Sequence, residues 1–301
     1  MQKLILIDGH AILHRAFYAL PLLTTSNGFP TNAIFGFFSM LNRVIKDFEP
    51  DYLAIAFDTP KPTFRKKLFE KYQAQRPKIK DEFKVQIPKV KEGLKKAGII
   101  SLEKDGFEGD DIIGSLIGKF EKQTKIFVVS GDKDILQLCN DNVYILQPKT
   151  GVTKLKLYTK EDVEKLLGIK PEQIPDFKAL SGDPSDNYSG AKGIGPKTAV
   201  KLLKRFNSIE NLFENLEAVE DERIRKILAD YKEQIFLSKK LALIVKDLNL
   251  PIKLKDLEFH SVNAQLKEFF KQYEMTSLIK RFFEGKEKKE NKKESTQPTL
   301  F

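Results

Sequence analysis

Lys125-Ile126-Phe127-Val128-Val129-Ser130-Gly131-Asp132-Lys133-Asp134 is the most informative stretch of this sequence. An apolar, β-branched run leads straight into a small glycine-containing turn that ends in two carboxylates. The same pattern recurs on the N-terminal side. Lys3–Ile7 is closed by Asp8, and Tyr52–Phe57 is closed by Asp58. Ile99–Leu102 and Asn142–Leu146 are further short apolar runs. Stretches with helical spacing, such as Asn32–Phe48 and Asp110–Phe120, lie between them. Strands alternating with helices predict an α/β fold with a mostly parallel central sheet and helices on both faces.

After about Lys160 the strand signals stop. Short helices follow, broken by Gly168, Pro171, the Gly182–Gly195 loop and Asn207. A longer helical stretch is expected through Asp221–Val245, and two more near Asn263–Tyr273 and Thr276–Phe283. The expected organisation is an α/β region over 1–158, a helical region over 159–284 and a Lys/Glu-rich disordered tail over 285–301.

The 301 residues carry a formal charge of +10, and 41% are hydrophobic, enough for a sizeable core. A basic balance points to a polyanionic partner. The single Cys139 excludes a disulfide framework and a thiolate zinc site. No apolar run approaches the roughly 18 residues of a membrane span, and Met1–Ile7 is too short for a signal peptide. A cytoplasmic, soluble monomer is expected. The charge is uneven: Lys61–Lys96 holds 13 Lys/Arg against 4 Asp/Glu, Ser189–Arg205 holds five bases and no acid, and Ser101–Asp141 holds nine acids against five bases.

Ligands of open α/β sheets bind outside the carboxyl ends of the strands, which brings Asp8, Asp58, Asp132 and Asp134 to one edge. Glu108, Asp110 and Asp111 open the next helix, and Asp183 and Asp186 lie in Gly182-Asp183-Pro184-Ser185-Asp186-Asn187. Any one of these acids is an ordinary helix cap or turn residue. Nine converging carboxylates instead raise one another's pKa unless cations neutralise them. Oxygen ligands without Cys or clustered His favour Mg²⁺ or Mn²⁺. So many acids suggest two ions, roughly 3.5–4 Å apart, as used for in-line phosphoryl displacement. His10 and His14 at i,i+4 are assigned to helix packing or substrate contact ahead of zinc.

The ordered set Leu6-Ile7-Asp8-Gly9, Phe57-Asp58, Phe107-Glu108-Gly109-Asp110-Asp111, Ser130-Gly131-Asp132-Lys133-Asp134 and Gly182-Asp183 to Asn187 resembles the flap-endonuclease family. The likeness is greatest to the 5′–3′ exonuclease domain of bacterial DNA polymerase I. It runs from about residue 3 to 283, and a stand-alone member is expected because no polymerase domain fits in the remainder. The resemblance implies a two-metal site in which Asp58 and Asp110 hold one ion and Asp132, Asp134 and Asp186 the other. Asp8, Glu108, Asp111 and Asp183 would act directly or through water.

Gly193-Ile194-Gly195-Pro196-Lys197-Thr198-Ala199 sets two glycines before a helix start, where exposed N–H groups bind phosphate. Lys192, Lys197 and Lys201 surround it, suiting sequence-independent duplex contact. By resemblance this is a helix–hairpin–helix-type element, with Gly193, Gly195, Lys197 and Thr198 on the duplex and a potassium ion bound. The Lys61–Lys96 segment interleaves bases with Phe64, Phe69, Tyr72 and Phe83, a mixture that suits an unstacked single strand. The family has a helical arch here. Arg65 and Tyr72 match its DNA contacts, while Arg76, together with Arg15 on the first helix, matches family arginines at the scissile phosphate.

Two departures stand out. Gln73 replaces the family's usual lysine, so either Lys71 substitutes for it or the rate suffers, and Tyr188-Ser189 replaces an aliphatic residue and proline. The chain end, Gln297-Pro298-Thr299-Leu300-Phe301, resembles the short peptide by which bacterial replication proteins bind the sliding clamp; Gln297, Leu300 and Phe301 would make the contacts, tethered at high effective concentration. The expected function is a structure-specific 5′–3′ exonuclease and 5′-flap endonuclease acting on branched or nicked duplex DNA, in primer removal and repair. The rivals are a branched-DNA-binding protein with weakened catalysis and a phosphatase of the haloacid dehalogenase type. The latter needs a second Asp where this chain has His10.

Overall fold

The computed structural model describes residues 1–151 and 154–284. The first half alternates strand and helix: β1 (Lys3–Asp8), α1 (Gly9–Ala19), α2 (Asn32–Phe48), β2 (Tyr52–Ala56), α3 (Phe64–Leu68), α4 (Asp81–Lys84), α5 (Ile87–Ala97), β3 (Ile100–Leu102), α6 (Gly109–Phe120) and β4 (Lys125–Val129). Next come β5 (Val143–Thr150), β6 (Lys154–Tyr158), α7 (Lys160–Leu167), α8 (Ile174–Ser181), α9 (Pro196–Phe206), α10 (Ile209–Glu214), α11 (Glu222–Asp230), α12 (Lys232–Ala242), α13 (Gln265–Gln272) and α14 (Thr276–Ile279).

The six strands form one sheet in the order β3-β2-β1-β4-β5-β6. All neighbours are parallel except β5 and β6. Strand order reverses between β1 and β4, which fixes the crevice at the carboxyl ends of those two strands. Strand alternation sends Leu4, Leu6, Ile126 and Val128 to one face and Ile5, Ile7, Phe127 and Val129 to the other. The first face is covered by α6 and the helices from α7 to α12; the second is covered by α1, α2 and α5, joined by α13 and α14. Both hydrophobic interiors therefore span residue 158.

Three local features depart from the expected pattern. β6 was not expected, because Lys154-Leu155-Lys156-Leu157-Tyr158 is a charged edge strand whose side chains are exposed or half-buried. The helical stretch after Asp221 is broken at Tyr231 and stops at Ala242. Beyond it, residues 243–250 run as an extended strap across α6. A Cβ at Gly114 would stand 2.7 Å from the Val245 carbonyl oxygen, and one at Gly118 would stand 2.6 Å from that of Lys246. The strap lies this close because α6 has glycine there.

Candidate active site

The crevice between β1 and β4 is lined by carboxylates. Asp8 ends β1 and caps α1, accepting from the Ala11 amide at 2.9 Å and from Ser130 Oγ, at the end of β4, at 2.7 Å. Burial, with the charges of Asp58 and Asp132 adding to it, pushes the Asp8 carboxyl up to about 7 against two hydrogen bonds that oppose the shift. Asp58, just past β2, accepts from the Gly109 amide at 2.6 Å, so the start of α6 is fixed to the end of β2. The Asp58 amide donates to His10 Nδ1 at 3.0 Å, leaving that nitrogen unprotonated. Asp132 Oδ1 accepts from the Asp134 amide at 2.8 Å, and Gln147 Nε2 holds the Asp132 carbonyl at 2.8 Å.

At the start of α6 three acids have three different fates. Asp110 is held well above the usual carboxylate range by burial and by Asp8, Asp132, Asp58 and Asp134. Glu108 accepts from Thr63 Oγ1 at 3.2 Å and from the Tyr72 hydroxyl at 3.3 Å; burial outweighs Arg65 and lifts it to about 7. Asp111 is fully buried and accepts four hydrogen bonds, two from Arg65 and one each from the Glu108 and Val245 amides. These bonds tie it to α3, to the start of α6 and to the strap after α12. Arg65 is likewise enclosed, donating to Asp111 and to the Leu241 and Leu243 carbonyls. It is a strut at the base of the basic segment: Nη1 also stands 3.4 Å from Glu108, and the side chain expected to meet DNA is buried.

On the far side of the crevice, Asp134, Asp183 and Asp186 offer oxygens that all lie within 4.8 Å of one another. Lys178, on α8, contacts both Asp134 and Asp183. Burial raises Asp134 to about 6 even though Lys178 opposes it. At Asp183 burial acts in the same upward direction, but Lys178 and Ser185 outweigh it and hold the carboxyl below its ordinary value. The loop carrying Asp183 and Asp186 is closed by the Asp183–Tyr188 backbone pair, at 2.9 and 3.2 Å. Lys178 was missed in the sequence because a lone lysine on a short helix carries no motif.

The Lys61–Lys96 segment is helical in three pieces, α3, α4 and α5, and its middle folds down onto the acids. The Tyr72 hydroxyl donates to Asp186 at 3.1 Å, Arg76 Nη2 to Asp186 at 2.8 Å, and the Gln73 amide to the Asp186 carbonyl at 2.9 Å. Tyr72 is buried, so the ring expected to meet DNA is enclosed against Tyr188. Lys71 is exposed, and its carbonyl accepts from Asn187 at 2.7 Å. Arg15 turns away to the Lys149 and Gly151 carbonyls at 2.8 and 3.0 Å. Lys192, Gly193, Gly195, Lys197 and Lys201 are exposed around the start of α9, with Thr198 half-buried. Gly193 has φ +106, and Pro196 opens the helix. Gln297, Leu300 and Phe301 lie outside the described residues.

A fold of this kind, a resolvase-like α/β layer followed by a small helical unit, matches two family models. Residues 3–168 match the N-terminal resolvase-like domain of 5′-3′ exonucleases, and residues 169–265 match their C-terminal SAM fold. The 5′-3′ exonuclease of Aquifex aeolicus is 44% identical over 93% of this chain and 95% of its own length. DNA polymerase I of Caldicellulosiruptor bescii is 45% identical over 93% of this chain, which spans 33% of that protein. Among solved structures, a bacteriophage T5 flap endonuclease complex with DNA and metal ions superposes with a TM-score of 0.67 over 93% of this chain and 100% of that one, at 19% identity. The Rad2 catalytic core with DNA substrate gives 0.61 over 94% and 92%, at 16% identity. The chain belongs to the 5′-3′ exonuclease family. Among the described residues no helix is long and apolar enough to cross a membrane.

Proposed function

We propose that the chain hydrolyses phosphodiester bonds at the 5′ end or 5′ flap of branched or nicked duplex DNA, as a two-metal nuclease of primer removal and repair. The observation that carries this reading is the triad Asp134, Asp183 and Asp186, with oxygens within 4.8 Å of one another beside a crevice already lined by Asp8, Asp58, Asp110 and Asp132. An all-oxygen donor set fits Mg²⁺ or Mn²⁺. The upward shifts of Asp8, Glu108, Asp110 and Asp134 fit it too, since such acids are short of positive charge. Asp58 and Asp110 would hold one ion, and Asp132, Asp134 and Asp186 the other, with Asp8, Glu108 and Asp183 acting directly or through water. When bound, divalent ions there lower the pKa of an attacking water and neutralise charge on the phosphate.

The chain's own groups supply the positioning. Arg76, half-exposed and paired with Asp186 at the edge of the crevice, would bind the phosphate next to the bond being cut. Lys71 adds a second cation on the same side, and Arg15 a third once released from the β5–β6 hairpin. The start of α9, with Lys192, Gly193, Gly195, Lys197, Thr198 and Lys201, would grip the duplex backbone, with a K⁺ ion in the loop. A monomer in the cytoplasm suits this work. The Gln297, Leu300 and Phe301 peptide would tether the chain to the sliding clamp.

The deciding experiment is a flap-cleavage assay. With Mg²⁺ the protein cuts a 5′-flap duplex near the junction, and chelation stops it. Asp132→Ala removes cutting while retaining DNA affinity. Flap binding without cutting by the unmodified chain would overturn the reading in favour of a binding protein.

A further inference from the structure

Tyr188 carries a hydroxyl that the reaction so far leaves unused. The residue is 4% exposed, and its Oη is enclosed without a hydrogen-bond partner. A buried phenol without a partner is a net cost to a fold, because the water it gave up is not replaced. A phenylalanine at this position would avoid that cost. An aliphatic residue, the type the family resemblance leads one to expect, would avoid it as well.

The position is tied to the acidic triad in two ways. Its backbone pairs with Asp183 in both directions, at 2.9 and 3.2 Å, and so closes the loop that presents Asp183 and Asp186. Its ring stacks on that of Tyr72, with centroids 6.5 Å apart and planes 18° from parallel, and the Tyr72 hydroxyl donates to Asp186 at 3.1 Å. Tyr188 is thus packed against the segments that present the carboxylates of one proposed ion, and the charges of Asp134, Asp183 and Asp186 all act on its hydroxyl.

We infer that the Tyr188 hydroxyl is an outer-sphere partner of the ion proposed at Asp132, Asp134 and Asp186, beside Asp183: it hydrogen-bonds a water or carboxylate oxygen of the loaded site and tightens that ion's binding. Tyr188 is a positioning residue, acting through the ligand loop and not on DNA. The inference rests on the two-ion reading above. Outer-sphere partners of metal ligands commonly set metal affinity by 10- to 100-fold.

The test is Mn²⁺ binding to the metal-free full chain, followed by calorimetry without DNA, together with thermal melting. The wild type takes up two ions. Tyr188→Phe removes only the hydroxyl; it weakens one of the two sites about tenfold or more and leaves the other unchanged. Its melting temperature without metal is equal to or above that of the wild type, since an unsatisfied donor has gone. Its rise on adding Mn²⁺ is smaller. That opposition of signs separates a metal partner from a packing residue, for which the two melting temperatures would move together. Equal affinity of wild type and Tyr188→Phe at both sites would overturn the inference and leave the two-ion reading standing. A wild-type chain binding fewer than two ions would sink both.

Discussion

Arg65 grips Asp111 through two parallel hydrogen bonds, Nη1 to Oδ2 at 2.7 Å and Nη2 to Oδ1 at 2.8 Å, with both side chains almost fully enclosed. The pair joins three parts of the chain: α3 at the base of the basic segment, the acid-bearing start of α6, and the end of α12 through the Leu241 and Leu243 carbonyls. Its value to the fold lies in complete pairing, because either charge alone is uncompensated in a low-dielectric interior. Asp111→Ala or Arg65→Ala is expected to destabilise the protein by about 3–5 kcal/mol. Urea unfolding measures this directly. Replacing both, as Arg65→Met with Asp111→Leu, should cost less than the two single changes added together. Additive losses would show that the residues act independently.

Lys178 stands where a divalent ion would otherwise neutralise Asp134 and Asp183. All three side chains are largely buried, so this contact is screened far less than a surface pair. Removing the ammonium leaves two close carboxylates without compensation. Lys178→Met should therefore melt at a lower temperature than the wild type in the absence of metal. Its affinity for Mn²⁺ should rise by roughly tenfold, the equivalent of one pKa unit from a neighbouring charge, because no cation has to be displaced. Calorimetric titration of the metal-free protein measures it. A weaker Mn²⁺ affinity in the variant would mean that Lys178 supports the ion and does not compete with it.

The sheet and its acidic edge were legible because an apolar run followed by Asp is a strong local signal. Asp8, Asp58, Asp132 and Asp134 follow strands that the structure contains, and Asn32–Phe48 is a helix with those bounds. What could not be read was set by partners distant in sequence. Arg65 has the composition of a DNA contact, since it sits among lysines and rings. Only the fold reveals Asp111, 46 residues away, and carbonyls 176 and 178 residues away. Tyr72, too, has in sequence the setting of a ring for stacking bases, yet it is buried against Tyr188. The β6 strand and the strap over α6 lack hydrophobic periodicity, because an exposed edge and a glycine-lined surface do not require it.

The acidic crevice makes the metal-free protein sensitive to pH in a direction that follows from its shifts. Burial and neighbouring charge hold Asp8 and Glu108 up at about 7 and Asp134 at about 6. In the unfolded chain such groups titrate near 4. Between about pH 4 and 7 the folded, metal-free protein therefore retains protons that the unfolded chain has lost, and its stability falls as the pH rises. Divalent ions displace those protons. The gain in melting temperature on adding Mg²⁺ is expected to be small at pH 5 and large at pH 8. A gain that did not depend on pH would contradict the placement of the ions among these acids.

Duplex binding and cleavage are assigned to separate surfaces, and salt distinguishes them. The start of α9 presents exposed Lys192, Lys197 and Lys201, and Ser189–Arg205 contains no acid to offset them. A lysine that neutralises one duplex phosphate releases its counterions, so it contributes about 0.9 to the slope of log affinity against log salt. Lys197→Ala should therefore flatten that slope by about 0.9 and weaken binding to the same degree on duplexes of unrelated sequence. Anisotropy titrations of flap duplexes at several salt concentrations measure both quantities. An Arg76→Ala change should behave differently, because Arg76 is paired with Asp186 at 2.8 Å in the free chain. Freeing it to meet a phosphate exchanges one charge-assisted bond for another, so its loss should lower the cleavage rate at saturating DNA more than it alters the salt slope. If both variants gave the same change in slope and the same change in rate, the division between a gripping surface and a cutting crevice would be wrong.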